Sequence, residues 1–117
     1  MDSDRELLEL AAKAAGYTTN HPWNAERLTM NPPVDALCIE DANGLVHTAW
    51  NPLDDSGAAL NLAVKIELVL SMKPSRGYVM AGRGDQSTHY EETSSDPATS
   101  TRRAIVRAAA EIGKAMP

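Results

Sequence analysis

Three histidines, one cysteine and several adjacent carboxylates are the side chains here that could hold a metal or move a proton. A zinc site needs three or four ligands converging on one point. Cys38 and His47 fall in segments that read as paired strands, His89 in a later hairpin and His21 in a proline-rich stretch. Opposite-facing or solvated positions describe them better than ligation. Ser87, His89 and Asp96 are the residue types of a hydrolase triad, but no Gly-x-Ser-x-Gly elbow marks the serine as a nucleophile. Gly77 to Gly84 reads Gly-x-x-x-x-Gly-Arg-Gly, where a phosphate-binding loop needs Lys, then Ser or Thr, then a helix. Arg83-Gly84-Asp85 matches a cell-adhesion tripeptide by coincidence. The pairs Glu40-Asp41, Asp54-Asp55 and Glu91-Glu92 sit at predicted turns or strand ends. Neighbours on a strand point to opposite faces, so these are poor acid/base pairs. No catalytic constellation, metal site or cofactor is expected, and the chain does not read as an enzyme.

What remains is the chemistry of recognition. Residues 17–34 are rich in proline and asparagine, read as irregular apart from a short turn of helix near 24–30, and carry Tyr17, His21 and Trp23. Long loops of this kind are often functional, and aromatic residues dominate binding hot spots. The plainer role for Trp23 is a lid over the edge of the core. Further candidate contacts are Arg83 in the glycine turn, the acidic strand end Glu91-Glu92, and Arg102 and Arg103. The last two open a basic stripe with Arg107 and Lys114; its plainer role is a solvated helix face.

These residues hang on a predicted frame of seven elements. A first helix spans about 3–15, with Ser3 and Glu6 in capping-box spacing and Gly16 as its end. Residues 34–40 and 45–50 alternate as strands around Asn43-Gly44, a two-residue hairpin signal. Both strand faces carry apolar residues, which predicts a sheet covered on both sides. Pro52 stops the return strand, and Asp54 or Asp55 caps a second helix over 56–72. That helix is apolar nearly all round, so it should be the buried centre of the molecule or be covered by another chain. Strands at 78–81 and 87–92 form a second hairpin. A third helix starts at Asp96-Pro97 and runs to about 114, with Ile105, Ala109, Ile112 and Met116 on one face. The fold class is α+β in the order α-β-β-α-β-β-α: a four-stranded antiparallel sheet with helices on one or both faces.

A chain of 117 residues fits one domain, and 43% hydrophobic with 23% charged residues is globular composition. With no Phe, two Trp and three Tyr, the core must be aliphatic. A single cysteine excludes an internal disulfide, no apolar run approaches the length of a membrane span, and the acidic N-terminus does not read as a signal peptide. A cytoplasmic protein is expected. The net charge is −5, with ten acidic and three basic residues in the first 57 positions. That balance argues against direct nucleic-acid binding, which needs a concentrated basic surface.

Three blocks of the sequence resemble a known family. Arg5-Glu6-Leu7-Leu8-Glu9-Leu10-Ala11-Ala12-Lys13-Ala14-Ala15-Gly16 is similar to the opening of many small phage and prophage proteins. So are Trp50-Asn51-Pro52-Leu53-Asp54-Asp55-Ser56-Gly57, continuing through Lys65, and 101–113 near the end. These blocks resemble the phage ABA sandwich domain family. The resemblance implies an α/β/α sandwich encoded by a tailed phage or prophage, acting in the host cytoplasm, and brings no catalytic residues. With the absence of catalytic groups it leads us to expect an accessory protein that binds a host protein or defence complex, such as an anti-CRISPR-like inhibitor. A nucleotide-binding sponge, with Tyr17, Trp23 and Trp50 stacking a base, is the alternative. A homodimer is compatible with either.

Overall fold

Ser3 opens the first helix as its spacing predicts. In the computed structural model, which describes residues 3–83, 88–92 (backbone only) and 96–117, its hydroxyl accepts from the Glu6 amide at 3.2 Å and α1 spans Asp4–Ala14. Gly16 ends the helix at φ +79°. The Tyr17 amide then donates to Ala12 O and the Gly16 amide to Lys13 O, the paired reverse bonds of a Schellman cap. That turn delivers Thr18 to Glu40, where the two exchange backbone hydrogen bonds in an isolated antiparallel bridge.

The stretch expected to be mostly irregular holds a helix, α2 (Pro22–Leu28), with His21 as its N-cap and Pro22 in the first turn. Next come β1 (Leu37–Glu40) and β2 (Val46–Trp50), an antiparallel pair with a register shift between Leu37 and Ile39. The hairpin turn is longer than the two-residue form expected. Gly44 sits at φ +82° while Asn43 keeps negative φ, and the Asp41 side chain accepts from the Asn43 and Leu45 amides. Asp55 caps α3 (Ser56–Lys65) by accepting from Gly57 N and Ala58 N. Then follow β3 (Val69–Lys73), a 3-10 turn, β4 (Tyr78–Gly82), β5 (Thr88–Glu92) and α4 (Pro97–Ala115), which Asp96 caps.

Four expectations are overturned. The strands do not make one four-stranded sheet: β1-β2 stand as a separate pair, and β3-β4-β5 form a three-stranded antiparallel sheet. The molecule is α+β, with four α-helices and five strands among the described residues. The second helix also stops at Lys65, not at 72. Ile66 ends it, Glu67 turns left-handed at φ 58°, and the Leu68 amide returns to Ala63 O. This is another Schellman cap, made without glycine, and it sends 69–73 into a strand. β-Branched Val69 suits an extended backbone as well as a helix, so a short apolar run does not separate the two. Nor is this helix the buried centre: Leu60 and Val64 are exposed, Val64 by 69%. β2 is likewise open, with residues 45–49 exposed and only Trp50 buried.

The centre is α4. It packs on α1 most extensively, and also on β4, β5 and α3. Its buried face is Ala104, Ile105, Val106, Ala108, Ala109, Ala110, Ile112 and Gly113, with Ser100. Facing it, α1 buries Leu7, Leu8, Ala11 and Ala12. Arg103 meets Asp4 at 3.2 Å, and Lys13 Nζ donates to Met116 O at 3.0 Å, so the two helices run side by side in the same direction. The small residues let their backbones approach closely. A Cβ at Gly113 would lie 2.1 Å from Leu10 O and 2.9 Å from its carbonyl carbon.

Gly113→Ala is therefore expected to destabilise the protein. The obstacle is backbone, so relief means separating the helices. The cost, at or above the roughly 1–3 kcal/mol usual for overpacking, exceeds the helix propensity of about 1 kcal/mol that alanine adds. Thermal and denaturant unfolding of the variant measure it.

Candidate functional site

The eight candidate contact residues fall in separate places. Tyr17 leaves the α1 cap half-buried and meets Trp50 edge-on, ring centroids 5.7 Å apart and planes at 87°. His21 and Trp23 sit together on α2, centroids 4.9 Å apart, with His21 Nδ1 accepting from the Trp23 amide at 3.1 Å. Arg83 follows β4 and is partly buried. Glu91 and Glu92 lie in β5, paired with Val79 and Tyr78; their side chains are outside the described residues. Arg102 and Arg103 lie on α4.

The α4 arginines make intramolecular bonds. Arg102 donates to Leu53 O at 3.0 Å, Ser56 Oγ at 2.9 Å and Thr99 Oγ1 at 2.9 Å, fastening the loop that leads into α3. Arg103 holds Asp4. The Thr99 hydroxyl and the Thr99 and Ala98 amides on Asp96, with Arg102 nearby, keep that capping carboxyl below its ordinary pKa, and they outweigh its partial desolvation.

Tyr17 and Trp50 border a cleft of about 450 Å³ between β2 and the start of α3, also lined by His47, Thr48, Asp55 and Asn61. That is within the size range of small-molecule sites. Among the described residues no Arg or Lys lines it, so they offer no strong cation for a phosphate. Burial, then the nearby Asp41 charge, pushes the Tyr17 hydroxyl above its ordinary pKa, which keeps it a donor. Desolvation alone would raise Asp41 too. The Leu45 and Asn43 amides and the His47 ring at 3.3 Å outweigh it and hold the carboxyl below its usual range. His47 is thus partnered with Asp41, while the Cys38 thiol is buried. Among the described residues no three His, Cys, Asp or Glu side chains come together to hold a metal.

Trp23 lies elsewhere, and it is not a lid. It is 48% exposed, and the same segment exposes Leu28, Met30 and Val34. Exposed apolar side chains on one short segment make it a candidate interaction surface. The segment is rigidly held. The Asn24 side-chain amide copies a strand neighbour: Oδ1 accepts from Cys38 N at 2.7 Å, and Nδ2 donates to Cys38 O at 2.8 Å and Thr19 O at 2.9 Å. Arg5 Nη2 donates to Asn24 O at 2.9 Å, and Arg27 Nη1 to Ala36 O at 2.9 Å. Sequence reasoning missed Asn24, because asparagine beside prolines reads as a turn former. Its burial at 4% exposure is visible only once α2 and β1 are docked.

No protein-family model matches this chain, and neither curated proteins nor solved structures yield a match. Among the described residues no helix is long and apolar enough to cross a membrane.

Two outcomes follow from this geometry. Asn24→Ala leaves the buried Cys38 amide and carbonyl without partners, at roughly 1–3 kcal/mol for each such group. Unfolding should show the loss, and hydrogen exchange should show faster exchange at Cys38. Asp41 has a lower pKa folded than unfolded, so its contribution is present above about pH 4 and is lost as pH falls through the folded value. Asp41→Asn should lower stability at pH 7, and the difference should shrink as pH falls below about 4, measured by denaturant unfolding across that range.

Proposed function

We propose that this protein is a non-enzymatic accessory protein of a tailed phage or prophage that works by binding a host protein, and that its target is a bacterial defence complex, as for an anti-CRISPR inhibitor. The observation that carries the binding role is Trp23: a large aromatic side chain about half exposed on a short helix tied down from both sides. A rigid anchor loses little conformational freedom on binding. The phage setting rests on the resemblance of residues 5–16, 50–65 and 101–113 to the ABA sandwich family, and the α/β/α layering remains part of the proposal. The charge supports the target class. The first 57 residues, which include the Trp23 segment, carry ten acidic against three basic side chains. Such a surface can occupy a nucleic-acid groove on its target by charge complementarity.

The cleft beside Tyr17 and Trp50 supports a second reading, a small-molecule binder. With no Arg or Lys among the described residues that line it, it suits an uncharged aromatic ligand better than a nucleotide. A thermal-shift screen with nucleosides and nucleotides separates them: stabilisation by nucleosides alone fits the cleft, and no shift with either removes this reading.

The binding reading is checked with purified defence complexes and a plaquing assay. The wild-type protein should co-purify with one complex and protect phage. Trp23→Ala should weaken that complex by at least about tenfold, the scale of a hot-spot residue, with unfolding unchanged. A protein that neither binds any complex nor protects phage ends the proposal.

A further inference from the structure

β3 forms one edge of the three-stranded sheet: β4 pairs with one side of it, and among the described residues nothing pairs with the other. Natural edge strands are usually shortened, bulged or charged to prevent pairing. β3 instead runs five residues in unbroken register with β4, from Val69 opposite Gly82 to Lys73 opposite Tyr78. Its faces are unequal. Leu70 and Met72 share a face with Ala81 and Val79, which are buried on the side where α4 packs. Leu70 is partly buried there, but Met72 is 60% exposed. The core face therefore reaches the sheet edge without a cover at its last strand.

We propose that a second copy of this chain supplies the cover, by antiparallel pairing of β3 with β3 of the other protomer about a two-fold axis at Leu70. The sequence is complementary to itself about that residue. Leu70 meets its own copy, Val69 meets Ser71, Leu68 meets Met72, and Glu67 meets Lys73. Positions of equal parity lie on one face of a strand. The even positions, Leu68, Leu70 and Met72, then form one apolar strip on the core side. Glu67, in the left-handed turn just before the strand, then comes near Lys73 of the copy, twice by symmetry. Both are exposed and neither makes an ion pair among the described residues. An axis perpendicular to the sheet keeps both α4 helices on the same side, and two three-stranded sheets become one of six strands. Isologous contacts of this kind are the commonest in homo-oligomers. The strand's one charge, which alone would guard the edge, is matched by a partner in the copy.

Charge reversal tests both the interface and its register, by light scattering and sedimentation across a concentration series. The wild-type protein should sediment at twice its 12.6 kDa mass. Glu67→Lys and Lys73→Glu should each raise the dimer dissociation constant about tenfold, because two attractive charge contacts become repulsive. Mixing the two variants should restore the dimer, because Glu67 of one then faces Lys73 of the other, and the two introduced charges also oppose. Circular dichroism confirms folding; if a reversal disturbs it, Lys73→Gln reads the same contact more mildly. A monomeric wild type overturns the proposal and leaves the edge to a strand of a different protein. So does a dimer unaffected by the single reversals, or a mixture no tighter than its components.

Discussion

Close backbone contact between α1 and α4 is the constraint on which the rest of this structure depends. Gly113 lies against the Leu10 carbonyl with no room for a Cβ, and alanines extend the seam along both helices. Two parallel helices align their dipoles unfavourably, so packing must hold them, and short side chains bring the largest number of atoms within dispersion range. The ends are fastened separately, by Arg103 on Asp4 and by Lys13 on the Met116 carbonyl.

Every other element takes its place from this pair. At the end of α1 the left-handed Gly16 turns the chain so that Tyr17 reaches Trp50 and Thr18 reaches β1. From the start of α1, Arg5 reaches across to the backbone of α2. On α4, Arg102 clasps the carbonyl of Leu53 and the hydroxyl of Ser56, which places the N-terminus of α3. The three-stranded sheet lies on α4 through β4 and β5. A core made largely of alanine is thin, however. It covers the central strands and leaves β2, β3 and one side of α3 with apolar groups in solvent. A protein without phenylalanine has few side chains long enough to reach its own margins. Its exposed anchor Trp23 and its open strand β3 are therefore consequences of composition as well as candidates for binding.

Much of the architecture was legible because helix ends and turns are local. Ser3, Asp55 and Asp96 cap by bonding amides two or three residues ahead, and Gly16 and Gly44 stand where φ is positive. The candidate site was less legible. Tyr17, His21 and Trp23 drew notice by residue type, yet Tyr17 belongs to a cleft and Trp23 to a separate surface. The arginines Arg102 and Arg103 read as a free stripe because their acceptors, Leu53 O, Ser56 and Asp4, lie 46 to 99 residues away in sequence.

By itself the sequence determined the α+β class, the positions of most helix starts and strands, the aliphatic nature of the core and the absence of an internal disulfide. These depend on groups within a few residues of one another, or on composition. Tertiary structure alone decided where the apolar run after Ser56 changes from helix to strand, for Glu67 carries no signal of the left-handed turn it makes. It also decided which helix is central. Apolarity around a helix says that something should cover it, whereas burial depends on what can approach. Gly113 and its alanines allow α1 that approach, and no such partner reaches Leu60 and Val64 of α3, which stay exposed among the described residues.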